Sequence, residues 1–153
     1  MLKDDCLIQS TPTYSSSSEE LTLGNLTVTA FDLGGHEIIR RIWRDYFSNI
    51  DAIIFLIDAT DYERIDEARG ELLELITDEA ISDIPILILG NKVDKSSAMD
   101  EKSLKENFGL EKLCTGKGLP VAEGIRPMEV FMCSIFCRFG YGDGFRWLSK
   151  YLG

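Results

Sequence analysis

This sequence predicts an α/β domain on a mostly parallel sheet with helices on both faces, and three observations carry that prediction. Continuous apolar runs recur along the chain, helical patterns lie between them, and the unusual side chains sit where the runs end. Unbroken apolar runs suit strands buried on both faces, and strands alternating with helices build a parallel sheet. Ligands of such sheets bind beyond the carboxyl ends of the strands.

The elements follow in order. Ser15 to Ser18 is a polar run that reads as an exposed loop. Glu20–Leu23 and Leu26–Phe31 flank Gly24-Asn25, a pair suited to a tight hairpin. Ala52 to Ile57 is an apolar run ending at Asp58, and Pro85 to Leu89 is another, ending at Gly90-Asn91. Glu129 to Cys133 is the third, ending at Ser134. Ile65, Ala68, Leu72 and Leu75/Ile76 recur at helical spacing, with Asp61 as the expected N-cap. Gly70 weakens that helix by about 1 kcal/mol relative to alanine. A short helix is expected over Glu101 to Phe108, stopped by Gly109. The last helix carries Phe145, Leu148 and Leu152 on one side, with Trp147 and Tyr151 beside them.

With 153 residues, 44% of them hydrophobic, the chain supplies one core and is read as a single domain over 1–153. Its net charge of −10 argues against nucleic-acid binding, which needs a basic face, and against docking on an anionic membrane by charge alone. No apolar run reaches the roughly 18–20 residues that cross a bilayer, and Met1 to Cys6 has no signal-peptide pattern. Cys6, Cys114, Cys133 and Cys137 form no Cys-x-x-Cys pair and His36 is the sole histidine, which argues against a zinc site. A reduced, cytosol-facing protein is expected.

Asn91-Lys92-Val93-Asp94 follows a strand directly. A carboxylate such as that of Asp94 can accept both the ring N–H and the exocyclic amine of guanine, an arrangement adenine does not offer. Asn91 and the Lys92 stem can hold the loop and cover the base. A polar turn after a strand is the plainer alternative. Asp32-Leu33-Gly34-Gly35-His36 also follows a strand. Asp32 can hold Mg²⁺ through water, a glycine backbone can approach a terminal phosphate, and a neutral His36 can orient water. A glycine turn with a structural histidine is the alternative there. Together the two motifs point to phosphoryl transfer. Thr13, after Pro12, can add a hydroxyl to a Mg²⁺ site, and the Cys133-Ser134-Ile135 backbone can meet the base oxygen.

In this order and spacing the segments resemble a Ras-like GTPase, specifically the Sar type of the Arf/Sar branch. Asp32-Leu33-Gly34-Gly35 resembles the second switch of that branch, and His36 stands where Arf proteins carry glutamine. Arg40 to Tyr46, Thr115-Gly116-Lys117-Gly118 and Gly140 to Trp147 also resemble Sar. The resemblance covers the whole chain and implies the Ras-like P-loop NTPase fold and a role in starting COPII coat assembly on vesicles leaving the endoplasmic reticulum. It implies GTP/GDP and Mg²⁺ as cofactors, and coat subunits and an exchange factor as partners. It assigns Asn91, Lys92 and Asp94 to guanine, with Ser134, Ile135 and Phe136 lining the base pocket. Asp32 and Thr13 would serve the metal, Gly35 the γ-phosphate and His36 the attacking water.

No Gly-x-x-x-x-Gly-Lys-Ser/Thr run occurs in these 153 residues. In the family that loop cradles phosphate with backbone N–H groups, a lysine and a hydroxyl. The resemblance places the loop, the first strand and an amphipathic membrane helix upstream of Met1. Charge-assisted hydrogen bonds contribute roughly 1.5–3 kcal/mol each, so losing three would weaken binding by about 5 kcal/mol. Three readings follow: a Sar-type GTPase whose sequence is incomplete, a short form that binds coat subunits without cycling, or an α/β domain with coincidental motifs. The first is the expected origin, with GTP hydrolysis by the 153 residues slow or absent.

Overall fold

The computed structural model describes residues 17–23, 26–32, 40–118 and 121–152. The chain divides into two compact units, residues 1–50 and 51–153.

In the first unit, β1 (Ser17–Leu23) and β2 (Leu26–Asp32) form an antiparallel two-stranded sheet. Leu23 pairs with Leu26, which leaves two residues for the connection and matches the expected tight hairpin. Ser17 and Ser18 belong to β1 and pair with Asp32 and Phe31, so the polar serine run is partly strand rather than loop. Pairing with β2 carries the strand beyond what the local composition suggests. Trp43–Asn49 forms a 3₁₀ helix, and the Phe31 and Tyr46 rings lie 5.4 Å apart.

The second unit is a three-stranded parallel sheet in the order β3 (Ile53–Asp58), β4 (Ile86–Asn91), β5 (Met128–Met132). Its register aligns Ile53 with Ile86 and Asp58 with Asn91, and it aligns Ile86 with Met128. Helices α1 (Ile65–Thr77) and α2 (Glu101–Phe108) supply Leu72, Leu104 and Phe108 to one face. There they form a core with Ile86, Ile88, Met128 and Val130. Helix α3 (Tyr141–Leu148) covers the other face. Gly144 of that helix sits so close to Leu87 and Leu89 that an added Cβ would lie 3.0 and 3.2 Å from their methyl carbons. Helices on both faces of a parallel sheet are as the sequence predicts.

The local signals behave unevenly. The Asp100 carboxylate accepts the Ser103 N–H at 2.7 Å, and Gly109 ends α2 at φ +68°, so both caps of the expected helix are in place. Asp61 accepts the Arg64 N–H at 3.2 Å, although Arg64 rather than Asp61 is the residue that flanks α1. Trp147 is buried, and its ring packs 6.0 Å from Phe131. Strand β4 is buried on both faces, as expected of a continuous apolar run. Strand β3 is not: Ile54 is 45% and Leu56 53% exposed, because β3 lies at the sheet edge and α3 packs over β4 and β5.

Candidate guanine-reading site

Strands β4 and β5 end next to each other and hand their chains to two short loops. After β4 the loop runs through Asn91-Lys92-Val93-Asp94, and after β5 it runs from Cys133 to Gly140. Backbone bonds knit the loops together: Cys133 N–H donates to Gly90 O at 2.8 Å and Val93 N–H to Cys133 O at 3.2 Å. The second loop is closed by reciprocal bonds between Ser134 and Phe139, at 3.0 and 3.1 Å. Gly140 seats it, since a Cβ there would lie 2.2 Å from the Met132 carbonyl oxygen and φ is +87°.

Side chains then fix the polar groups. Asn91 Oδ1 accepts the Ile135 N–H at 3.0 Å. The buried Ser134 hydroxyl donates to Asp94 Oδ1 at 2.6 Å and accepts the Cys137 N–H at 2.9 Å. Asp94 is exposed, so its carboxylate faces outward while one oxygen is held from beneath. Lys92 adopts φ +71°, a left-handed conformation that costs a non-glycine residue roughly 1–2 kcal/mol. Its Nζ donates to Asp58 Oδ2 at 2.5 Å, across the paired ends of β3 and β4. Asp58 Oδ1 accepts from the Thr60 N–H at 2.9 Å and the Thr60 hydroxyl at 2.7 Å. Burial raises the Asp58 pKa, but the bonds from Lys92 and Thr60 outweigh it and hold the carboxyl below its ordinary value.

Five of the residues expected at the base are therefore assembled at one place: Asn91, Lys92, Asp94, Ser134 and Ile135. Phe136 shares the loop and is 71% exposed. All three backbone N–H groups expected to meet a base oxygen, those of Cys133, Ser134 and Ile135, are already donated within the protein, to Gly90 O, Phe139 O and Asn91 Oδ1. Gly35, His36 and Thr13 lie outside the described residues, as does the side chain of Asp32, which ends β2. Among the described residues, no group of three His, Cys, Asp or Glu is arranged to hold a metal ion. Burial raises the pKa of Cys133 to about 11 and of Cys114 to about 12, which leaves both thiols protonated. Asp58 and Thr60 were not expected at the site. Their signal was present, since Asp58 ends an apolar run just as Asn91 does.

Comparison with known proteins identifies the family. The model of the ADP-ribosylation factor family matches residues 1–152. The chain is 45% identical over 153 residues to the small COPII coat GTPase SAR1 of Giardia intestinalis, covering 99% of this chain and 80% of that protein. It is 41% identical over 159 residues to the SAR1 of Nicotiana tabacum, with the same coverage. Among solved structures, the Arl6 BBS3 small GTPase of Trypanosoma brucei, bound to the nucleotide analogue GppNp, superposes with a TM-score of 0.79. It is 28% identical, covering 95% of this chain and 83% of that one. The chain belongs to the ADP-ribosylation factor family, as a small GTPase of the Sar type.

Proposed function

We propose that this chain reads the guanine of GTP and GDP with the loops after β4 and β5, and that it acts as the GTPase switch of COPII vesicle formation. The observation that carries the reading is the supported carboxylate of Asp94. Ser134, itself buried, holds one oxygen of that carboxylate, and Asn91 holds the neighbouring loop through Ile135. A fixed carboxylate discriminates because guanine presents two adjacent donors to it, while an adenine leaves it unpaired. Lys92, anchored at Asp58, lays its stem beside the site. The Phe136 N–H, next after Ile135 along that loop, is proposed to meet the base oxygen.

The phosphate end rests on family resemblance. Asp32 and Thr13 are proposed to hold Mg²⁺, Gly35 to approach the γ-phosphate and His36 to orient the attacking water. Coat subunits and an exchange factor are the proposed partners, and the cytosolic face of the endoplasmic reticulum and Golgi is the proposed location. Among the described residues no helix is long and apolar enough to cross a membrane. Because these 153 residues contain no Gly-x-x-x-x-Gly-Lys-Ser/Thr run, their own affinity is proposed to be low and their turnover slow or absent. The same observation favours a second reading, a coat-binding module that does not cycle on GTP.

Equilibrium binding of GDP and xanthosine diphosphate to the chain and to Asp94→Asn tests the base-reading claim. The amide would offer a donor where guanine needs an acceptor, so guanine binding should fall and xanthine binding rise. Equal GDP affinity in both proteins would sink the assignment. Turnover of GTP at the rate of an intact GTPase would instead overturn the weak-phosphate claim.

A further inference from the structure

The Thr115-Gly116-Lys117-Gly118 segment takes no part in the site above, yet several long-range bonds hold it to the second unit. Its anchor is Glu129, a carboxylate only 2% exposed at the β5 edge of the sheet. Glu129 accepts the Gly116 N–H at 2.7 Å and the Val130 N–H at 2.9 Å, and pairs with Lys105 Nζ at 2.7 Å. Such complete satisfaction is what a buried charge requires. Lys105 also reaches Glu101 at 3.0 Å, and Glu101 in turn holds Lys117 Nζ at 2.6 Å. The Trp147 Nε1–H donates to Gly116 O at 3.1 Å, and Lys150 Nζ to Gly118 O at 3.2 Å.

This scaffold holds Lys117 over the Phe131 ring, 4.7 Å from its centroid, at the mouth of a cleft of about 600 Å³. Phe131 and Trp147 form the apolar part of the cleft, and Lys117, Arg146 and Lys150 stand around it with Glu101 and Asp143. Three cations against two carboxylates make this a locally positive place on a chain whose net charge is −10. Two of the cations are easily redirected. Arg146 pairs with Asp143 three residues away on an exposed helix face, a type of contact that contributes little, and Lys150 faces a neutral carbonyl.

We propose that this cleft is a second binding site, one that takes an acidic segment of a protein partner and seats its carboxylates on Arg146 and Lys150. A guanidinium fork matches a carboxylate in two parallel bonds. With Glu101 and Asp143 on the rim the local excess is one positive charge, which a single carboxylate balances and a phosphate overcompensates. A pocket of this size holds a few residues of peptide. Gly140, which seats the base-reading loop, also lines the cleft, so an occupant would touch the same turn.

Fluorescence anisotropy with an end-capped, fluorescein-labelled peptide alternating glutamate and alanine tests the proposal on the full chain. Saturable binding is expected, weakened about tenfold or more by Arg146→Glu with Lys150→Glu, both exposed positions whose folding circular dichroism would check. Lys117→Met should weaken it as well. A peptide with glutamine in place of glutamate should not compete, and inorganic phosphate should displace the probe only weakly. Absence of saturable binding, indifference to the charge reversals, or equal binding of the glutamine peptide would each overturn the proposal, as would displacement by phosphate at lower concentration than by unlabelled peptide. Asp94→Asn should bind the peptide as the wild type does, which separates this outcome from the fate of the guanine assignment.

Discussion

Strands β3 and β4 are neighbours of equal length, both rich in isoleucine and leucine, and they live in different environments. Strand β4, Ile-Leu-Ile-Leu-Gly-Asn, has α1 and α2 on one face and α3 on the other and is buried from Ile86 through Gly90. Strand β3, Ile-Ile-Phe-Leu-Ile-Asp, turns Ile57 inward but leaves Ile54 and Leu56 exposed at the edge. Both end in a polar side chain that organises a loop: Asn91 holds Ile135, and Asp58 holds Thr60 and Lys92. An apolar run therefore states that a strand wants burial, while its neighbours decide whether it obtains it.

The contrast can be broken by substitution, beginning with the largest effect. Ile88→Ala removes a fully buried side chain from the centre of β4 and should cost about 2–5 kcal/mol in urea unfolding. Gly90→Ala follows. An added Cβ there would lie 2.6 Å from Met132 Sδ and 2.8 Å from Leu104 Cδ1, and since both can shift a little the expected loss is about 1–3 kcal/mol. Asn91→Ala leaves the Ile135 N–H without its acceptor and should cost about 1–3 kcal/mol, with guanine-nucleotide affinity falling in parallel.

Smaller effects are expected on β3. The folded-state pKa of Asp58 is depressed, so its contribution to stability is present above the unfolded carboxylate value of about 3.9 and is lost as pH falls through the lower folded value. Asp58→Asn should therefore narrow the stability difference between neutral and acid pH, read from urea midpoints across that range. An unchanged acid limb would mean that the pair with Lys92 does not persist in solution. Leu56→Lys should change stability by no more than about 0.5 kcal/mol and reduce self-association in sedimentation velocity, because it replaces exposed apolar surface at a sheet edge. A cost as large as that of Ile88→Ala would show that β3 is covered in solution.

Much of the second unit was legible because its signals are local. The Asp100 and Gly109 caps bracket α2 where the residue types require them, and the apolar runs mark β4 and β5 to within a residue or two. The base-reading residues were legible for a similar reason: Asn91, Asp94 and Ser134 stand directly after strands whose ends must converge in a parallel sheet. The exposure of β3 was not legible, nor was the burial of Trp147 against Phe131, since both depend on elements distant in sequence.

By itself the sequence determined the alternation of strand and helix, the hairpin register of β1 and β2, the caps of α2 and the side-chain chemistry available at the strand ends. Each of these depends on neighbouring residues, through backbone conformational preference, hydrogen-bonding reach or hydrophobic period. Only the tertiary structure decided which oxygen of Asp94 is held by Ser134, that Lys92 is anchored on Asp58, and that Glu129 ties a distant loop to the β5 edge. Those contacts join residues 13 to 40 positions apart. Their geometry exists only once sheet register and helix packing have fixed where the backbone runs.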